Sequence, residues 1–138
     1  MDLRAETAAL RDHGISPSAQ RVAVAEYVLH TTEHPSADEV WTQVRKRFPH
    51  VSRATVYNTV NLFVEKGLLR QLVLTEGRVV FDPNTKDHHH FIDEESGKIH
   101  DVPWEAVKVS KMPKLDGFEV REYQVVMRGK KTRRRRRN

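Results

Sequence analysis

At 138 residues the chain has room for one domain or for two small ones, and with no cysteine it can build neither a disulfide frame nor a thiolate zinc site. The net charge of +5 is lopsided: Lys130, Lys131 and the five arginines at 133–137 carry seven positive charges, and taking these from +5 leaves −2 for the body. No apolar run approaches the roughly 20 residues a membrane helix needs, and charges interrupt the first residues where a secretory signal needs its apolar core, so a cytoplasmic protein without membrane association is expected.

Leu3, Ala8 and Leu10 recur among charged residues ahead of Gly14, predicting a first helix over 2–13. In "SPSAQRVAVAEYVLHTT", Val22, Ala25, Val28 and Leu29 mark one face of a second helix. "HPSADEVWTQVRKRFPH" opens a third with Ser36 and Glu39 at capping-box spacing and Val40, Trp41, Val44 and Phe48 on its apolar side. In "SRATVYNTVNLFVEKG", Ser52 can cap a fourth, Val56, Val60 and Phe63 recur at helical spacing, and Gly67 ends it.

The next stretch, "LLRQLVLTEGRVVFD", sets two β-rich runs around "TEG", a compact hairpin signal. Helices followed directly by a hairpin suggest a winged helix-turn-helix whose last helix enters the major groove, presenting Arg53, Thr55, Tyr57 and Asn58; Arg21 and Ser52 complete the expected DNA-binding set. Tyr can touch a thymine methyl and a phosphate, and Asn can pair with an adenine edge. A merely solvated helix face is the alternative reading of the same residues.

Beyond Asp82, "PNTKD" (83–87) reads as a hinge. Three strand-like runs follow, "HHHFID", "KIHDVP" and "FEVREYQVVMRG", the first two joined by the turn "EESG"; "WEAVKVSKMPKLDG" connects the second to the third with at most a short helical piece. Three strands in one subunit cannot easily bury both faces, so a second copy is the natural remedy. Side chains two apart on a strand share a face, so His88 and His90 point together and His89 away, while the "EESG" turn can bring Asp101 back to the same side. A metal site and an exposed histidine pair both fit that pattern.

The order "SPSAQR", "EHPSADEVW", "SRATVYNTVNLFVEKGLLRQ", "FD", "HHHF", "HDVP" resembles the ferric uptake regulator superfamily, over residues from about 10 to 129. The resemblance implies an α+β chain: an N-terminal winged helix-turn-helix domain (1–82), a hinge (83–87), and a small α/β dimerisation and metal-binding domain (88–129), here followed by a basic, disordered tail (130–138). It implies a homodimer on double-stranded operator DNA, acting as a repressor rather than as an enzyme. Its regulatory metal site, carried over residue by residue, is His34, Asp82, His88, His90 and Asp101. Imidazoles with carboxylates suit Fe(II) or Mn(II), and Zn(II) can bind as well.

Departures from the pattern accompany the match. The two Cys-x-x-Cys pairs that hold a structural zinc in many relatives are missing, so that zinc is excluded and the sheet must be held by packing. The family's second metal site is eroded, with Asp87, His89 and Tyr123 in its places, and Ser16 stands where a basic residue often precedes the second helix. The similarity runs toward the peroxide regulator branch, in which Fe(II) reacts with hydrogen peroxide and histidine ligands are oxidised; by resemblance these would be His34 and His88. The iron response regulator branch, which also lacks the cysteines and senses iron through haem, is the rival, although no Cys-Pro haem motif is present. A metallohydrolase would need a general base, and no His-Glu-x-x-His occurs. An architectural DNA-binding protein with a structural metal is a further alternative, separable by metal-independent DNA binding.

Overall fold

A computed structural model describes residues 3–75 and 77–132. The arginine run at 133–137 lies outside them. The order is α1 (Arg4–Asp12), α2 (Ala19–Val28), α3 (Ala37–Val44), α4 (Arg53–Glu65), β1 (Arg70–Thr75), β2 (Arg78–Asp82), β3 (His88–Asp93), β4 (Ile99–Pro103), a single 3-10 turn (Trp104–Ala106), and β5 (Val126–Gly129). The chain divides into two compact units, Met1–Thr85 and Lys86–Asn138. Helices with two small sheets make this an α+β fold.

Local chemistry sets the helix ends in the first unit. Gly14 and Gly67 take φ of +73° and +81°, the left-handed backbone that closes a helix without a Cβ penalty. Ser36 and Glu39 form a reciprocal capping box at the start of α3, and the Ser52 hydroxyl accepts the Thr55 N–H at 3.0 Å to start α4. Val24, Val28, Val40, Val56, Val60 and Phe63 pack into one core. Phe63 is fully buried, and an apolar side chain of that kind contributes roughly 1.5–3 kcal/mol by leaving water.

Two sequence expectations in this unit need correction. Ala8 is exposed, and Glu6 takes the buried side of α1, where its carboxylate accepts the His30 Nε2–H at 2.8 Å. Phe48 is not on α3, which stops at Val44; it is half-buried in the following turn, where Pro49 blocks a longer helix.

β1 and β2 form an antiparallel hairpin pairing Leu72 with Val80 and Arg70 with Asp82. The second unit is a three-stranded sheet ordered β4-β3-β5. β3 pairs antiparallel with β4, setting His90 opposite Asp101, and parallel with β5, setting His90 opposite Val126. The third strand was expected over "FEVREYQVVMRG", yet only Val126–Gly129 is strand. With one edge of β3 taken by β4, the other offers pairing for just four residues of this segment. Positions 118–124 remain exposed and outside the strand, Phe118 at 79%.

Candidate metal half-sites and nucleic-acid interface

In the first unit, the Phe81 N–H donates to the Pro35 carbonyl at 2.9 Å, tying the turn before α3 to the end of β2. That tie brings His34 Nε2 to 3.2 Å from Asp82 Oδ2, both side chains being almost completely buried. The other Asp82 oxygen accepts the Asn84 N–H at 2.9 Å, which fixes the carboxylate. His34 has φ +50°, the one non-glycine in the left-handed region among the described residues. Such backbone is costly for a residue with a Cβ and is tolerated where the surroundings enforce it.

The second unit holds a matching group. His88 and His90 share a face of β3 with ring centroids 4.5 Å apart. His88 Nδ1–H donates to the Lys86 carbonyl at 2.5 Å, and His90 Nδ1–H donates to Gln124 Oε1 at 2.7 Å. With both Nδ1 protons so committed, the neutral rings present Nε2 lone pairs, and these lie 3.2 Å and 3.6 Å from Asp101 Oδ1. Two lone pairs aimed at a carboxylate oxygen repel unless a proton or cation lies among them. A nitrogen and oxygen donor set with its tautomers held from behind fits a divalent first-row ion.

His89 points to the opposite face, as its place in the strand requires. Its ring stacks on Trp104 at 4.7 Å, Tyr123 packs on Trp104 at 4.8 Å, and His89 Nδ1 accepts the Val125 N–H at 2.8 Å. His89 and Tyr123, two of the three positions that the family resemblance assigns to a second metal site, thus belong to an aromatic stack with Trp104.

The expected DNA-facing residues all lie in the first unit. Tyr57 and Asn58 are exposed on α4. Ser52 is committed to capping, its hydroxyl donating to Thr55 Oγ1 at 2.8 Å. Arg21 donates from its guanidinium to the Ser16 carbonyl at 2.9 Å. Arg53 reaches back to Asp38, with Nε at 3.0 Å and Nη2 at 2.5 Å from Oδ1.

Residues 12–128 match the profile of the Ferric uptake regulator family. The peroxide-responsive repressor PerR of Staphylococcus epidermidis is 36% identical over 118 residues, covering 86% of this chain and 73% of that protein. The chain belongs to the ferric uptake regulator family. Another relative, the peroxide operon regulator of Bacillus subtilis, is 32% identical over 130 residues, 93% of this chain and 90% of its own. Among solved family structures, the Vibrio cholerae ferric uptake regulator shares the fold with a TM-score of 0.66 at 21% identity, over 90% of this chain and 98% of that one. The Campylobacter jejuni peroxide stress regulator does so with a TM-score of 0.62 at 22% identity, over 96% and 98%.

Within this family frame, sequence reasoning missed Gln124, the Lys86 carbonyl and Asp38. Gln124 is 34 positions from the histidine it holds, and nothing local marks it. Asp38 sits in the first turn of α3, where an acidic residue already has a helix-dipole explanation.

Proposed function

We propose that this chain is a cytoplasmic, homodimeric, metal-dependent repressor whose DNA affinity is set by one divalent-metal site and relieved by hydrogen peroxide. The observation that carries the reading is the pair of histidine–carboxylate half-sites, buried His34 with buried Asp82, and buried His88 and His90 with the more exposed Asp101. The five residues would serve one ion, with Fe(II) or Mn(II) as the physiological occupant. His34 and Asp82 come from the unit carrying α4, the other three from the unit carrying the β4-β3-β5 sheet, with 83–87 as the hinge. An ion held by both favours one orientation of the units, and differential affinity for that orientation is what couples metal to DNA.

The first unit would act as a winged helix-turn-helix, α4 entering the major groove with Tyr57 and Asn58 on base edges and the β1–β2 hairpin as the wing. Arg21, Ser52 and Thr55 would hold the backbone contacts around it, with Arg53 presented to DNA beside Tyr57. The basic tail adds sequence-blind attraction to phosphate. For the dimer, the second unit buries few large apolar side chains, chiefly Ile92 and Ile99, while Met112, Leu115, Phe118 and Val120 are exposed. An apolar stretch of that kind favours a second copy as its cover.

Bound Fe(II) would supply the reducing electron for hydrogen peroxide. The imidazoles of His34 and His88 would take up oxygen at a ring carbon and lose basicity as ligands, and the coupling to DNA would then be released. No helix among the described residues is long and apolar enough to cross a membrane.

Peptide mass spectrometry on Fe(II)-loaded protein after a brief low dose of hydrogen peroxide, with a Mn(II)-loaded control, tests the signal. An added oxygen on His34 or His88 in the iron form alone is the expected result. Unmodified histidines with Fe(II) verified in the protein would overturn peroxide sensing in favour of an iron- or haem-responsive regulator.

A further inference from the structure

An arginine on the first turn of a helix that enters DNA can meet phosphates without regard to sequence, or it can be aimed. In this chain Arg53 is aimed. Its Nε and Nη2 both donate to Asp38 Oδ1, at 3.0 Å and 2.5 Å, and its guanidinium lies 5.6 Å from the Trp41 ring and 6.0 Å from the Tyr57 ring. The Arg53 guanidinium first, and the nearby Tyr57 hydroxyl second, hold Asp38 below the usual carboxylate range, so it is charged at neutral pH.

Asp38 and Arg53 have side-chain exposures of 52% and 58%. An ion pair so exposed adds little to folding stability, so the fold alone gives little reason for it. Its position gives another. Asp38 and Tyr57 line one cleft with Asn61 and Arg78, between α3, α4 and β2, and a carboxylate there repels phosphate while cancelling the Arg53 charge.

We propose that Asp38 is a specificity-determining positioning residue: its carboxylate holds the Arg53 guanidinium over the Tyr57 ring as one preorganised unit and suppresses sequence-blind attachment of α4 to phosphate. The inference rests on the assignment of α4 as the DNA-entering helix. Phosphate contacts set affinity and base contacts set specificity, so neutralising Asp38 moves the two in opposite directions.

The test uses Mn(II)-loaded full-length protein, a duplex selected by the wild-type protein from a random pool, and a scrambled duplex of equal length. Asp38→Asn keeps the side-chain shape and is expected to bind the scrambled duplex several-fold more tightly. Its dependence of log affinity on log salt should steepen by about 0.9, the increment for one added phosphate contact. The ratio of selected to scrambled affinity should fall by about tenfold, within the range for one lost base-directed contact.

Equal changes on both duplexes, and so an unchanged ratio in Asp38→Asn, would overturn the proposal. Asn58→Ala separates the underlying assignment: it should weaken the selected duplex alone. If Asn58→Ala leaves selected binding intact, α4 is not the reading helix and the proposal falls with it. If Asn58→Ala behaves as expected while Asp38→Asn keeps the ratio, the role of Asp38 alone is refuted.

Discussion

Replacing Gln124 by Leu should weaken metal binding although Gln124 is not a ligand. The Gln124 amide oxygen accepts the His90 Nδ1–H at 2.7 Å, and His90 is fully buried. Without that acceptor the ring has two options. It can keep its Nδ1 proton unsatisfied, at a cost of about 1–3 kcal/mol. It can instead move the proton to Nε2, which removes the lone pair that faces Asp101 Oδ1 at 3.6 Å. Loss of such a partner behind a metal-ligating histidine costs about 10- to 100-fold in affinity, or about 1.4–2.8 kcal/mol, which agrees with the hydrogen-bond figure. Gln124 is itself exposed, so water can take part of its place, and this puts the expected loss near tenfold. Gln124→Glu should act oppositely, because a carboxylate behind the ring raises ligand basicity. Competition with a fluorescent chelator for Mn(II) measures all three proteins, with circular dichroism to check folding. Affinities of folded Gln124→Leu and wild type within twofold of each other would refute the assigned tautomer and the role of His90 as a ligand.

Two further predictions concern the second unit. Asp93 is held below the ordinary carboxylate range, first by the Ser96 hydroxyl and next by the Glu95 N–H; its stabilising effect is therefore present above about pH 3.9 and lost as pH falls through the depressed value. Thermal unfolding across that acid range should show wild type and Asp93→Asn converging, whereas a constant offset at every pH would contradict the linkage. His89→Phe preserves an aromatic on Trp104 but leaves the Val125 N–H without its acceptor, a loss of about 1–3 kcal/mol if the group stays buried. Denaturant unfolding should report that loss, together with weakened Mn(II) binding through the displaced Gln124; an unchanged midpoint would show that the bond contributes nothing.

How far the sequence could be read follows the range of each interaction. The Ser36–Glu39 box, the Ser52 cap on Thr55, and the stops at Gly14 and Gly67 are set within three or four residues, so spacing alone reveals them. The shared face of His88 and His90 follows from the strand period, and the short turn after Asp93 sets His90 opposite Asp101. His34 and Asp82 are different: no local pattern joins residues 48 apart, and they were found only through the family resemblance. Gln124 and the parallel pairing of β5 with β3 stayed hidden because strand partnership is chosen among distant edges. The strand period in "FEVREYQVVMRG" was legible, yet periodicity does not say how many of its residues find a partner. Arg53 was legible as a basic residue on α4, but its engagement by Asp38, 15 positions away, was not.

The absence of cysteine and the geometry of the second half-site are connected. A sheet without a thiolate zinc needs another means of fixing its last strand. The Val125 carbonyl accepts the His90 N–H at 3.1 Å, the Val125 N–H donates to His89 Nδ1 at 2.8 Å, and the adjacent Gln124 holds the His90 ring at 2.7 Å. The entry to β5 is therefore held by backbone on β3, by a side chain on one face, and by a side chain on the other. His89 contributes from the face that Trp104 and Tyr123 close off, away from Asp101. Two consecutive histidines thus have different tasks: His90 offers its Nε2 toward the carboxylate, and His89 anchors the segment that keeps His90 in the required tautomer. An ion bound at His88, His90 and Asp101 would then act on β5 through hydrogen bonds already in place, so occupancy of the site and ordering of the sheet edge become linked without a second metal.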